Sequence, residues 1–302
     1  GALLEWNRDD SQRACIIEGG AGCGKTTQVP QYLLESPEDA SILVVQPRRL
    51  AAVAAAQRVA SELGEQVGDT VGYAVRLEAR PPTRSDRRVE FVTAGLALAR
   101  ATQDPTLNGA THVVFDEHHE RNAETDMLLA LLKDDPRFKI VVMSATLQTH
   151  ALLQYLGVDD CLRVPLDTNY DVETKYLDAV PMQTFTRRKL NEALSGPNVE
   201  AIVEWTCQAA ADAVSRWKGA GAVLCFLPGW AEIESVADRI KYLRHCRVFR
   251  LHSNVGLAAQ REALEPAKDF VKVVLATDIA ETSLTVPDAT LASDLRHWPT
   301  PN

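Results

Sequence analysis

Nine residues near the start of the chain, "GGAGCGKTT", hold the densest chemistry in the sequence. Gly19, Gly24, Lys25 and Thr26 stand at the spacing Gly-x-x-x-x-Gly-Lys-Thr, with Gly22 and Thr27 beside them. Glycines let backbone N–H groups turn toward phosphate oxygens, and a helix N-terminus adds partial positive charge. A lysine at that position reaches the β- and γ-phosphates, and the first threonine hydroxyl holds Mg²⁺. The run follows the apolar stretch "ACIIE" and opens a helix-like segment, the context that this phosphate loop requires. A nucleoside triphosphate and Mg²⁺ are therefore the expected cofactors, with Gly22, Gly24, Lys25, Thr26 and Thr27 as ligands.

A phosphate loop needs a second, acidic site. "THVVFDEHHER" supplies one, an apolar strand that ends on Asp116 and Glu117. The carboxyl edge of an open α/β sheet is where ligands bind. Asp116 is expected to hold the metal through its water shell and Glu117 to orient and deprotonate an attacking water. Asp116, His118 and His119 also suggest a dedicated zinc site, but adjacent residues at a strand end point apart, which disfavours it.

These residues need a sheet to position them. Apolar, β-branched runs ("ACIIE", "SILVVQ", "RRVEFVT", "THVVFDE", "FKIVVMS") alternate with helix-like segments such as "RRLAAVAAAQRVASEL". A second set ("GAVLCFLP", "CRVFRLH", "FVKVVLAT") accompanies the helix-like "WAEIESVADRIKYL". Continuous apolar strands separated by helices predict parallel sheets covered on both faces. The fold class is α/β in two tandem domains, residues 1–165 and 166–302. The polar, irregular text from Val164 to Ser195 forms the junction. The basic cluster Arg187–Leu190 within it reads as solvated surface.

Length and composition agree with two soluble domains. The net charge of −9 argues against a general basic coat, though one basic groove remains compatible with it. No apolar run approaches bilayer length, so no membrane partner is expected. The six cysteines are scattered without a Cys-x-x-Cys pair. They suit free thiols in a reducing compartment, cytoplasmic or nuclear, rather than secretion. A start at Gly1 suggests a processed or excised piece.

The sequence resembles the DEAH-box (DEAH/RHA) helicases of superfamily 2, over nearly its whole length and in order. "GGAGCGKTTQVPQ" resembles motif I, "VQPRRLAAVAAAQRVA" motif Ia, and "VTAGLALAR" motif Ib, preceded by "VGYAVRLEAR". "DEHHERNAETDMLL" resembles motif II, "VMSATL" motif III, "VLCFLPGWAEIE" motif IV and "LATDIAETSLTV" motif V. The resemblance implies two RecA-like P-loop domains, ATP in the cleft between them and single-stranded RNA held by its backbone across their top. It implies that Arg48, Thr93 and Thr277 touch RNA. It further implies that Ser144 and Thr146 couple nucleotide state to RNA, and that Ser283 lies near the nucleotide. Arg58 takes the family's base-stacking arginine position, and Leu264 takes the aromatic position opposite it. A protein activator is a further expected partner.

The chain departs from the family pattern in four places. His118 stands where a small residue is usual and is expected to crowd the carboxylates and to titrate near neutral pH. Asp278 replaces a common Asn. Leu264 lacks a π-system for the base. No Gly-Arg dipeptide occurs in the chain, so the arginine-rich motif VI is expected to be absent and the second domain incomplete.

Two functions compete. One is an ATP-dependent RNA helicase core that couples hydrolysis to movement along RNA or unwinding. The other is a truncated or degenerate module that binds nucleotide and RNA without efficient turnover. Lys25, Thr26, Asp116 and Glu117 favour the enzyme; the missing motif VI, His118 and Leu264 favour the module. A GTPase-type switch is disfavoured, because no Asn-Lys-x-Asp is present.

Overall fold

A computed structural model describes residues 2–9, 11–20, 22–35, 39–145, 149–165, 199–216, 221–277, 286 and 288–294. Thr146, Ser283, Asp278 and the cluster Arg187–Leu190 lie outside the described residues. The chain divides into two compact units, Gly1–Asp167 and Thr168–Asn302.

The first unit is built on an eight-stranded sheet. Its strands are β1 (Ala14–Gly19), β2 (Ser41–Gln46), β3 (Val71–Val75), β4 (Glu78–Arg80), β5 (Arg88–Thr93), β6 (His112–Phe115), β7 (Lys139–Ser144) and β8 (Leu162–Val164). They lie in the order β4-β3-β5-β2-β6-β7-β1-β8. All pairs are parallel except β3 with β4, which form an antiparallel hairpin at the edge. Helices α1 (Ala2–Arg8), α2 (Lys25–Leu34), α3 (Arg49–Glu62), α4 (Ala94–Gln103), α5 (Ala123–Leu132) and α6 (Thr149–Leu156) connect or flank the strands.

The apolar runs predicted as central strands are central because both faces are covered. Every residue of β7 is buried, as are all four of β6. On one side Phe115, Ile140 and Val142 pack with Leu128, Leu129 and Leu132 of α5. Strand β3 was not among the predicted strands, being short and interrupted by Gly72. That glycine is steric in origin: a Cβ there would sit 2.4 Å from the Pro82 nitrogen and 2.5 Å from the Arg80 oxygen.

The second unit holds β9 (Gly221–Phe226), β10 (Cys246–Leu251), β11 (Val271–Ala276) and β12 (Ala289–Asp294), all parallel in the order β10-β11-β9-β12. Helices α7 (Val199–Arg216), α8 (Trp230–Ile240) and α9 (Leu257–Leu264) accompany them. Ile233, Val236, Ala237 and Ile240 put the apolar stripe of α8 into a core with Val223, Cys225, Val273 and Leu275. Strand β12 is the departure from the sequence reading, which has no strand there. Its residues are mostly exposed, and its pairing with β9 rather than apolar content makes it a strand. Among the described residues no helix is long and apolar enough to cross a membrane.

Candidate functional site

Parallel strands bring the chemically loaded residues of the first unit to one edge. Strand β1 runs into the glycine loop and α2, β6 ends one residue before Asp116, and β7, between them in the sheet, ends on Ser144. Gly22 and Gly24 hold φ of +81° and +83°, the left-handed region that glycine enters without strain. They turn the loop so that α2 begins at Lys25.

Lys25 is buried and its ammonium is held by the loop itself. Nζ donates to the carbonyls of Gly19 at 2.5 Å and Gly20 at 2.9 Å, and lies 3.5 Å from Cys23 Sγ. The Thr26 hydroxyl donates to Asp116 Oδ2 at 2.6 Å. Thr27 donates from its hydroxyl to the Gly24 carbonyl at 3.3 Å.

Asp116 is 2% exposed. Its backbone N–H extends the ladder to Val45, while its carboxylate accepts from Thr26, from Gln46 Nε2 at 2.6 Å and from the Glu117 N–H at 2.9 Å. Burial pushes its carboxyl up from the usual range, and those donors together with Lys25 oppose the rise. Burial, with the Asp116 charge adding to it, pushes Glu117 up to about 7 against the pull of Lys25. Glu117 itself has a left-handed backbone, φ 49°, at the entry to a single 3-10 turn, His118–Glu120. That kink turns the chain immediately after the strand, so consecutive side chains diverge.

The two histidines part accordingly. His119 Nδ1 lies 3.3 Å from Glu117 Oε2 and accepts from the Ala145 N–H at 3.4 Å, joining the acidic site to the end of β7. His118 is buried, with Nε2 3.7 Å from Asp126 of α5 and Nδ1 without a hydrogen-bond partner. Burial lowers its pKa from 6.5, and Asp126 only partly opposes this. The expectation of His118 crowding the carboxylates is thus corrected: His118 faces Asp126 of α5, and His119 is the neighbour of Glu117.

Arg48 stands at the residue before α3, without a side-chain cap bond to it, and pairs with Glu120 at 3.3 Å. Thr93 ends β5 at the residue before α4, without a side-chain cap bond to that helix, beside Gln46 in the sheet register. Ser144 is buried, paired in register with Glu18. Arg58, on α3, is 71% exposed and bonded through Nε to Glu62 at 2.6 Å. In the second unit, Thr277 follows β11 and is buried, its N–H directed to the Leu251 carbonyl at 3.4 Å. Leu264 ends α9 and is half-buried.

Comparison with known proteins finds relatives along nearly the whole chain. Residues 205–302 match the "Helicase conserved C-terminal domain" model. The chain is 36% identical over 296 residues to the ATP-dependent RNA helicase DHX30 of Gallus gallus, covering 90% of this chain and 23% of that protein. It is 32% identical over 362 residues to the DExH-box ATP-dependent RNA helicase DExH1 of Arabidopsis thaliana, covering 95% of this chain and 35% of that one. The crystal structure of the Escherichia coli DEAH/RHA helicase HrpB superposes with a TM-score of 0.75 at 33% identity, over 97% of this chain and 36% of that chain. Over nearly its whole length the chain is similar to DEAH-box and DExH-box RNA helicases. It spans about a quarter to a third of the length of these relatives.

Two residues at the site were missed by sequence reasoning. Gln46 is 1% exposed and bonds Asp116; its signal is a polar residue closing the apolar run "SILVVQ". His119, named in the sequence only as a disfavoured zinc ligand, lies instead beside Glu117 and the Ala145 N–H. Glu62 stands one helical turn after Arg58, a spacing that announces a pair but not its further partners.

Proposed function

We propose that the first unit binds the triphosphate of ATP and that the chain is part of an ATP-dependent RNA helicase core. The observation that carries this reading is the 2.6 Å contact between the Thr26 hydroxyl and Asp116, with Lys25 held in the mouth of the same loop. Gly22, Gly24, Lys25, Thr26 and Thr27 form the phosphate cradle. Thr26 and Asp116 are the hard oxygen donors that suit Mg²⁺, directly and through its water shell. When bound, that ion neutralises charge on the phosphate oxygens.

Glu117 is the general base. Its carboxyl, pushed up to about 7, is matched to taking a proton from water at neutral pH. The water oxygen forms the new bond to the γ-phosphorus as the bond to the β,γ-bridging oxygen breaks, and Lys25 meets the charge that develops. His119, between Glu117 and the backbone of Ala145, offers a route by which the state of the acidic site reaches the segment of Ser144 and Thr146. Arg58 is a platform for the base, with Leu264 the family's counterpart position for it and Ser283 a residue near the nucleotide. Face-stacking carries no hydrogen bonds that read the purine, so selection among nucleoside triphosphates is weak.

Arg48, Thr93 and Thr277 contact the RNA backbone. Such contacts hold a strand without reading its bases, which suits a protein that moves along it. The Arg48–Glu120 pair supports a link between that surface and the turn bearing Glu117.

The test is direct. A fluorescent nucleotide should bind the wild type and not Lys25→Ala. Steady-state ATP hydrolysis, with and without single-stranded RNA, should vanish in Glu117→Gln while nucleotide binding persists. Equal nucleotide affinity in wild type and Lys25→Ala would end the reading. Nucleotide and RNA binding with no turnover would favour the binding module.

A further inference from the structure

Glu62 collects three side-chain donors from two helices. Its Oε1 accepts Arg58 Nε at 2.6 Å, one turn back on α3. Its Oε2 accepts Gln28 Nε2 at 2.9 Å and Gln31 Nε2 at 2.7 Å, both from α2, the helix that starts at Lys25. The same two amides reach back toward the phosphate cradle. Gln31 Nε2 donates to the Thr27 carbonyl at 3.0 Å, and Gln28 Nε2 lies 3.5 Å from the Thr27 hydroxyl. The carboxylate is half-buried at 22% exposure, while the arginine it holds is 71% exposed.

An ordinary exposed i,i+4 pair would do little, because two long side chains must be ordered to make it. Here two amides anchored on a neighbouring helix already hold the carboxylate. The ordering cost falls on Arg58 alone. A bond through Nε lies in the plane of the guanidinium and so does not occupy its faces, as stacking on a ring requires, and the side chain is largely exposed.

We propose that Glu62 is a positioning residue for nucleotide recognition: it pre-orients Arg58 as the nucleobase platform and ties that platform to the phosphate-loop helix through Gln28 and Gln31. The inference rests on the reading of Arg58 as the base contact. A platform held in place before the ligand arrives loses less rotamer freedom on binding, which raises affinity without any contact between Glu62 and the nucleotide.

The test separates base from phosphate. Isothermal titration of the 302-residue chain with ADP and with inorganic pyrophosphate, both with Mg²⁺, compares wild type, Arg58→Ala, Glu62→Ala, the double variant and Glu62→Gln. Arg58→Ala should weaken ADP binding about tenfold, the scale of a desolvated stacking contact, and leave pyrophosphate unchanged. Glu62→Ala should weaken ADP by most of that factor, again with pyrophosphate unchanged, and the double variant should be no weaker than Arg58→Ala. Glu62→Gln, which keeps an acceptor for Arg58, should recover part of the loss. If Arg58→Ala weakens ADP and Glu62→Ala does not, the role of Glu62 is overturned while the base platform stands. If Glu62→Ala weakens both ligands equally, Glu62 merely supports α2 and the proposal is overturned. If Arg58→Ala changes nothing, the base platform itself is wrong and the inference falls with it.

Discussion

Thr26 and Asp116, 90 residues apart in the chain, meet at 2.6 Å, the hydroxyl donating to Oδ2 of a carboxylate that has almost no access to water. The contact joins the first turn of α2 to the end of β6, and it is what makes the phosphate loop and the acidic strand end one site. Thr26→Val keeps the shape of the side chain and removes the donor. Asp116 keeps Gln46 and the Glu117 N–H, so the fold should survive with a loss of about 1 kcal/mol. The strengthening of nucleotide binding by Mg²⁺ should largely disappear. Titrations with Mg²⁺ and with a chelator measure it, and an undiminished Mg²⁺ effect in Thr26→Val would remove this residue from the metal site.

Two glycines should respond to alanine for different reasons. At Gly24 the φ of +83° is the problem, because a Cβ would meet only Gln28 Cγ at 3.5 Å, an ordinary contact. The cost should be about 1 kcal/mol of backbone strain. At Gly72 the Cβ would run into backbone atoms of Arg80 and Pro82, which cannot yield without moving the β3–β4 hairpin. That variant should lose about 3 kcal/mol or more. Urea denaturation of the two variants gives the ranking, and a Gly72→Ala protein as stable as Gly24→Ala would contradict it.

His112 should make the first unit acid-sensitive. Its ring is buried at the start of β6, with Nε2 2.7 Å from Asn7 Oδ1 and Nδ1 2.8 Å from the Thr111 hydroxyl. Burial, with Lys139 adding to it, lowers the pKa from 6.5 to about 4. Between those values the unfolded chain takes up a proton that the folded protein refuses. The stabilisation is therefore complete above pH 6.5 and drains away as pH falls toward 4, by about 3 kcal/mol in all. Denaturation midpoints across that window should fall, and His112→Gln should flatten the slope. A slope that the substitution leaves unaltered would assign it to other groups.

In the second unit, Lys272 is fully buried, 2.8 Å from Asp288 Oδ1, and its ammonium also donates to the Glu265 carbonyl at 2.7 Å. Asp288 accepts the Ala267 N–H at 2.8 Å. Burial pushes the Asp288 carboxyl up, but the Ala267 N–H and Lys272 hold it below the usual range. Lys272→Met should cost about 3–5 kcal/mol by leaving the carboxylate without its counter-charge. Lys272→Met with Asp288→Asn should recover part of the loss, because the uncompensated charge is then gone. Chemical denaturation measures both, followed by the fluorescence of Trp230 at the start of α8 in a background where the other tryptophans are replaced by phenylalanine. A double variant no better than the single one would mean that packing, not charge, sets the cost.

Local chemistry was legible without a structure. The spacing from Gly19 to Thr27 predicts a glycine turn that opens a helix, and the structure has one at Gly22, Gly24 and Lys25, because φ preference and helix start are properties of neighbouring residues. The apolar run ending at Asp116 specifies a strand end for the same reason, as do the alternating strands and helices of both units. What the sequence could not decide is which distant side chains share an atom. The pairing of Thr26 with Asp116, the closing of Gln46 over that carboxylate, and the convergence of Gln28, Gln31 and Arg58 on Glu62 depend on strand order and helix registration across the sheet. The division of His118 and His119 between α5 and the acidic site follows from the left-handed turn at Glu117, a conformation that glycine would signal and glutamate does not. Strand β12 is invisible in composition because its partner β9 supplies the hydrogen bonds that make it a strand. Short-range preferences are written residue by residue; long-range contacts exist only once the core has packed and brought the carboxyl ends of β1, β2, β6 and β7 to one edge.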